Sequence, residues 1–223
     1  MKEKIFFYKN FLDLSQTLAE NLFQNVYYPW EVLPLIKNYI LETGKNLPKD
    51  KFDEIKENVW ISKKSSIATS SCILGPTIID ENTEVRHCAF IRGSVIIGKN
   101  CVVGNSTEVK NSIIFNNVQV PHFNYVGDSI LGYRSHLGAG AIISNIKSDR
   151  TNVSVKYQNI KINTELRKFG AVVGDFVEIG CNAVLNPGTI IGKNSSVYPT
   201  SMVRGMINEN SIFKNSGEII DKI

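Results

Sequence analysis

From about Val59 onward, aliphatic side chains return every sixth residue. Stepping from Ile61 gives Ile61, Ile67, Ile73, Ile79, Val85, Ile91, Ile97, Val103, Val109 and Phe115. A second unbroken series runs Val173, Ile179, Leu185, Ile191, Val197 and Val203, and a short one, Leu131, Leu137 and Ile143, lies between them in shifted phase. Gly often follows the aliphatic, as at Gly98, Gly104, Gly132, Gly138, Gly174, Gly180 and Gly192. This period matches neither the roughly 3.6 of a helix nor the simple alternation of a one-sided strand. It predicts short strands, each sending one side chain inward, joined by sharp turns. That is a hexapeptide parallel β-helix, in which equivalent strands stack coil on coil. A β-sandwich would show turn signals at about 8–12 residues with no fixed period.

The period does not reach the beginning of the chain. Phe11, Leu14, Leu18 and Leu22 recur at helical spacing, and a second helical stretch is expected from about Trp30 to Leu41, with Pro29 in its first turn and Gly44 and Pro48 ending it. Residues 1–50 therefore read as a small helical segment or two-helix cap, and residues 51–223 as the β-helix. Two interruptions break the repeats. Between Phe115 and Leu131, Pro121 stands where the next aliphatic is due. From about 146 to 170 an inserted basic loop carries Lys147, Arg150, Lys156, Lys161, Arg167 and Lys168. Its alternating stretches, Val153–Tyr157 and Ile160–Ile162, predict a hairpin turning at Gln158-Asn159. An insertion that leaves a regular coil is a candidate functional loop.

Composition supports the strand reading. The 223 residues include 28 Ile, 19 Val, 23 Asn and 16 Gly, so strand-favouring and turn-favouring residues are both abundant. A hydrophobic fraction of 43% and a charged fraction of 21% exclude disordered, collagen and coiled-coil classes. The net charge of +4 is too small and too dispersed for a nucleic-acid partner. No apolar run is long enough for a membrane span or a signal peptide, so the cytoplasm is the expected compartment. Cys72, Cys88, Cys101 and Cys181 form no CxxC pair and read as small buried hydrophobes in a reducing compartment.

The first interruption reads Pro121-His122-Phe123-Asn124-Tyr125-Val126-Gly127-Asp128. Glu108-Val109-Lys110-Asn111 precedes it, and His136-Leu137-Gly138-Ala139-Gly140 follows. These segments resemble the acetyltransferase half of the bifunctional bacterial enzyme that makes UDP-N-acetylglucosamine. They look still more like related sugar-phosphate nucleotidyltransferases that end in a left-handed β-helix, and Thr164–Ala171 is similar to that subgroup. The resemblance covers about residues 59–205 and implies an all-β, left-handed parallel β-helix that trimerises. No Gly-rich nucleotide loop precedes the repeats, so the uridylyltransferase half is expected to be lacking.

The resemblance implies roles residue by residue. His122 matches the general base acting on the amino group of glucosamine 1-phosphate. Tyr125 matches its partner, and Arg92 and Lys110 match the residues near the sugar phosphate. His136 stands where the family prefers Asn, close to the amino sugar. Asn145 is a further substrate residue, and Ala139 and Cys181 are expected beside acetyl-CoA. Lys147, Arg167 and Lys168 are expected to reach phosphates of the sugar or of coenzyme A.

Residue chemistry agrees. Acyl transfer to an amine needs a base, and a neutral imidazole is one at physiological pH. Arg and Lys suit a phosphate. Arg92 and Lys110 are 18 positions apart, or three hexads, which stacks them on one face of a three-hexad coil. The expected activity is an acetyl-CoA-dependent N-acetyltransferase acting on glucosamine 1-phosphate or galactosamine 1-phosphate, with no metal in the transfer. Two alternatives stay open: a nucleotide-linked amino sugar as acceptor, or a non-catalytic scaffold or regulatory subunit of a sugar nucleotidyltransferase. A zinc enzyme on this fold needs three stacked His, and the spacings among His87, His122 and His136 are 35 and 14.

Overall fold

The computed structural model describes residues 3–222. Met1 and Lys2, which open the expected N-terminal segment, and Ile223 lie outside the described residues. The repeats form a left-handed parallel β-helix with three faces. Face 1 begins with Val59–Ser62, face 2 with Ser66–Ile67 and face 3 with Cys72–Ile73, and each later coil adds one strand to each. Along face 1 the inward positions align as Ile61, Ile79, Ile97, Ile114, Leu131, Val173, Ile191 and Ile207. Such stacks of aliphatics, removed from water at roughly 1.5–3 kcal/mol each, fill the interior. Antiparallel strands finish both ends, Phe52–Lys56 against Val59–Ser62 and Ile219–Asp221 against Ser211–Phe213. Among the described residues no helix is long and apolar enough to cross a membrane.

The abundant Asn has a structural address. Asn82, Asn100, Asn117, Asn194 and Asn210 share one column at the corner between faces 1 and 2, with Arg134 and Phe176 in the two coils between Asn117 and Asn194, all with φ between 52° and 61°. Asn takes this left-handed conformation more readily than other residues that bear a side chain, Gly apart.

The first interruption is a change of phase. Ile114 pairs with Ile97, so Phe115 is not the inward residue of its coil. Val120 pairs with Val103 and Val126 with Val109, so the slot expected to hold Pro121 holds Val120. The coil shortens by one residue where Lys110-Asn111 turns from face 3 to face 1, and again at Gly127-Asp128. Phe115 is buried on the outside of the coil, edge-on to Phe23 at 6.3 Å.

The second interruption is a true insertion. It leaves after Ile142–Ile143 on face 3 and returns at Ala171–Val173 on face 1. The hairpin pairs Ser154–Tyr157 with Ile160–Asn163, and Gln158 turns it at φ 49°.

The N-terminal segment differs from expectation. Phe11, Leu14, Leu18 and Leu22 lie on 3₁₀ turns and extended links, with no α-helix between residues 3 and 35. The backbone groups a helix would use are taken elsewhere. The Asp175 N–H donates to the Phe11 carbonyl (3.0 Å), the Asn116 N–H to the Gln16 carbonyl (2.9 Å), and the Asp13 N–H to Asp175 Oδ2 (2.9 Å). Pro29–Leu35 is also 3₁₀, and Pro34 lacks the N–H an α-turn needs. One α-helix, Ile36–Lys45, packs over the face 1 strands Thr77–Ile79 and Val95–Ile97. The segment runs along face 1 as a strap and shares one hydrophobic core with the β-helix.

Candidate functional site

Side chains alternate along each strand, so every face 3 strand offers two outward positions. In successive coils they are Phe90 and Arg92, Glu108 and Lys110, Tyr125 and Gly127, then Ile142 and Ser144. Arg92 and Lys110 are thereby stacked, as their spacing predicted. Arg92 Nη1 donates to Glu108 Oε1 at 2.7 Å, and this bond raises the guanidinium pKa. Lys110 Nζ reaches one coil further, to Asp128 Oδ2 at 3.0 Å.

Asp128 organises this end of the face. It is buried, and it accepts from Lys110 Nζ, from Asn111 Nδ2 (2.9 Å) and from Asn145 Nδ2. Asn145 Nδ2 also donates to the Tyr125 hydroxyl at 3.2 Å, leaving the phenolic hydrogen available to a ligand. Burial, with Glu108 and Asp128 adding to it, raises the Tyr125 pKa, so the ring stays neutral at physiological pH. A Cβ at Gly127 would stand 2.6 Å from the Tyr125 hydroxyl and 2.7 Å from Asn145 Nδ2. The glycine makes room for this group.

His122 stands at the opposite end of face 3, exposed at the corner with face 2. Its imidazole makes no hydrogen bond to the described residues. Its backbone is held on both sides: the His122 N–H donates to Asn124 Oδ1 at 3.1 Å, and the Gly140 N–H donates to the His122 carbonyl at 3.1 Å. Buried Asn124 donates onward from Nδ2 to the carbonyls of Gly138 (2.8 Å) and Ala141 (3.2 Å). The Asn182 N–H donates to the Ala139 carbonyl at 2.9 Å. His122, Ala139 and Cys181 therefore form one column at this corner, one coil apart. The strand Tyr125–Gly127 separates the His122 corner from Asp128, a span of about 10 Å at roughly 3.3 Å per residue.

The insertion borders the Asp128 end. The Phe169 N–H donates to the Asn145 carbonyl (3.0 Å) and the Gly170 N–H to the Asp128 carbonyl (2.8 Å). Lys147, Arg167 and Lys168 come together there with Arg150 around a recess of about 730 Å³. Lys147 bonds the Thr151 hydroxyl and lies 3.2 Å from Asp149, whose pKa is lowered chiefly by hydrogen bonds from Thr151.

Arg92, Lys110, Tyr125 and Asn145 thus share one site, with His122 across the face. His136 does not join them. It lies on face 2, opposite Gln119 and Glu178, with Nδ1 2.8 Å from Glu178 Oε2. The cysteines also depart from expectation: only Cys101 is buried, its pKa pushed up to about 12 by burial, while Cys72, Cys88 and Cys181 are exposed. Sequence reasoning missed Glu108, Asn111, Asn124 and Asp128. For Glu108 and Asp128 the signal was a spacing of 17 or 18 from an assigned residue, as between Glu108 and Tyr125, Lys110 and Asp128 or Asp128 and Asn145. Among the described residues no three His, Cys, Asp or Glu side chains gather to hold a metal.

Residues 73–173 match the GMPPB C-terminal domain family, and residues 170–205 match the bacterial transferase hexapeptide family (six repeats). Bifunctional protein GlmU of Methanococcus aeolicus is 34% identical over 208 residues, covering 84% of this chain and 50% of that protein. The bifunctional sugar-1-phosphate nucleotidylyltransferase/acetyltransferase of Sulfurisphaera tokodaii is 29% identical, covering 87% and 49%. The chain spans about half the length of the curated relatives it matches. Among solved structures, an AntD N-acyltransferase variant from Bacillus cereus in complex with dTDP-4-amino-4,6-dideoxyglucose and coenzyme A aligns with TM-score 0.35 and 18% identity, over 80% of this chain and 87% of that one.

Proposed function

We propose that this chain, which belongs to the hexapeptide-repeat proteins and carries a GlmU-like acetyltransferase β-helix, transfers acetyl from acetyl-CoA to the amine of an amino-sugar 1-phosphate. The observation that carries this reading is the convergence on face 3 of His122 with Arg92, Lys110, Tyr125 and Asn145. A hexose phosphate lying across the face puts its phosphate at the Arg92–Lys110 end and its amine toward His122. Two cations suit the phosphate, and Lys110 keeps donors free beyond its bond to Asp128.

The neutral His122 imidazole takes a proton as the amine nitrogen attacks the thioester carbonyl carbon. The tetrahedral oxyanion needs a donor. The Ala139 N–H, which donates to none of the described residues, stands one coil from His122 and supplies it. The C–S bond then breaks, and His122 returns its proton to the coenzyme A thiolate. Lys147, Arg167 and Lys168 hold coenzyme A phosphates. The active assembly is a homotrimer in the cytoplasm.

The experiment follows thiol release with acetyl-CoA and either glucosamine 1-phosphate or galactosamine 1-phosphate. His122→Ala is expected to lower kcat by about 10²–10⁴-fold. Turnover unchanged by that substitution removes His122 as the base. No turnover with either sugar favours a scaffold or a nucleotide-linked acceptor. Light scattering tests the trimer.

A further inference from the structure

The hairpin sets Lys156 directly opposite Lys161. Like charges in a cross-strand pair repel. Neither ammonium forms a hydrogen bond or ion pair with the described residues, so this chain's own side chains do not offset the repulsion. Both line a second recess, of about 460 Å³, together with Lys147, Asn186 and Arg204. Arg204, from the face 3 to face 1 corner, is likewise unpaired. The sole carboxylate in this lining, Asp149, is engaged by Lys147. The hairpin is held close to that corner: a Cβ at Gly205, where φ is 77°, would lie 2.9 Å from the Lys156 carbonyl oxygen. The three cations therefore converge by construction of the backbone.

The position of this recess excludes the sugar phosphate. Arg204 stands in the outward column of Lys110, Gly127, Ser144 and Asn186. Four coil steps at about 4.8 Å separate it from Lys110, or about 19 Å. An anion held at Arg92 and Lys110 does not reach so far. The recess shares Ile146, Lys147 and Ser148 with the Arg150–Arg167–Lys168 recess, so the two are continuous. A ligand fitting both carries two separate anionic groups on an extended frame.

We propose that Lys156, Lys161 and Arg204 form a distinct phosphate site that takes the 3′-phosphate of coenzyme A, while the neighbouring recess takes its diphosphate. This rests on the acetyl-CoA reading above and assigns three residues that reading leaves idle. A phosphate dianion between Lys156 and Lys161 converts their repulsion into two charge-assisted contacts.

Calorimetric titration of the full chain with coenzyme A and with 3′-dephospho-coenzyme A tests this without turnover. The wild type is expected to bind coenzyme A at least about tenfold more tightly than the dephospho form. In Lys161→Ala/Arg204→Ala, coenzyme A is expected to weaken to the dephospho level, with dephospho-coenzyme A affinity unchanged. Equal weakening of both ligands, or preserved discrimination, overturns the proposal. A third titration uses UDP-glucosamine; if its affinity alone falls in the variant, the recess belongs to the acceptor and the proposal fails. A wild type that binds no coenzyme A defeats both the donor assignment and this site. A wild type that binds coenzyme A discriminately yet acetylates no amino-sugar phosphate defeats the acceptor reading alone.

Discussion

Asn124 accepts the backbone N–H of His122 at 3.1 Å while its own amide donates to the carbonyls of Gly138 and Ala141 in the next coil. One buried side chain thus fixes the corner bearing His122 against the turn bearing Ala139. Asn124→Ala leaves the His122 N–H unpaired, while the Gly138 and Ala141 carbonyls each lose one of two donors and keep the N–H groups of Ala141 and Tyr125. The expected result is a stability loss of about 1–3 kcal/mol in urea, the cost of one buried unpaired group, and a kcat reduced at least tenfold, with KM for the sugar phosphate changed less. A kcat unchanged in the folded variant removes Asn124 as a positioning residue.

Gly127→Ala addresses the opposite end of face 3. The added methyl meets the Tyr125 hydroxyl and Asn145 amide, which must both move. Overpacking of this kind costs about 1–3 kcal/mol. KM for the sugar phosphate is expected to rise about tenfold while acetyl-CoA binding is kept, and steady-state kinetics with each substrate varied in turn separates the two.

Asp128→Ala removes the carboxylate that Lys110, Asn111 and Asn145 share. Breaking a buried pair costs about 3–5 kcal/mol, and the partial exposure of Lys110 places this case at or below the low end. Chemical denaturation gives the stability, and Asp128→Asn, close in shape, is expected to recover fold and Asn145 position with sugar-phosphate KM still raised.

Asp175 joins the strap to the β-helix. It accepts from the Asp13 and Tyr133 N–H groups at 2.9 Å and lies 3.0 Å from Lys193. Burial raises its pKa despite these partners. The folded protein therefore binds this proton more tightly than the unfolded chain. Its contribution is fully present below the unfolded value of about 3.9 and is lost as pH rises through the folded value. The stability difference between wild type and Asp175→Asn is expected to shrink as pH rises from about 3.5 through that window, then to stay flat to pH 7. Urea titrations at each pH measure it, and a difference that grows with pH contradicts the burial effect.

Phe23→Ala tests the strap's packing. Phe23 is buried edge-on to Phe115, and truncation of such a ring costs about 3–5 kcal/mol. Thermal and urea unfolding are expected to show that loss, and a loss under about 1 kcal/mol would mean that the strap is not anchored there.

The β-helix was legible because its interior accepts only aliphatics at fixed intervals, and the hairpin because its alternation and turn are local. The phase change was not. Ile113-Ile114-Phe115 offers three apolar residues in a row, and only the strand pairing shows that Ile114 faces inward. The same slip hid Asp128 and Asn124, whose partners lie one shortened coil away. At the N-terminus, helical spacing at Phe11, Leu14, Leu18 and Leu22 reported correctly that these residues face a core. It could not report that Asn116 and Asp175 of the β-helix would claim the backbone carbonyls.

The strap has a consequence for how the molecule comes apart. A stack of coils joined only to its neighbours unravels from its ends, one repeat at a time. Here Gln16 and Phe23 touch the coil of Phe115, Trp30 touches Phe169, and Phe11 and Asp13 are bonded to Asp175. A single covalent run therefore spans coils that are not adjacent, like a cord laced down the side of a spring. Loss of a middle coil releases the cord, and loss of the cord exposes every coil beneath it. The strap is thereby expected to make the repeat array one cooperative folding unit, with face 1 amides exchanging with solvent together rather than in sequence when hydrogen exchange is measured.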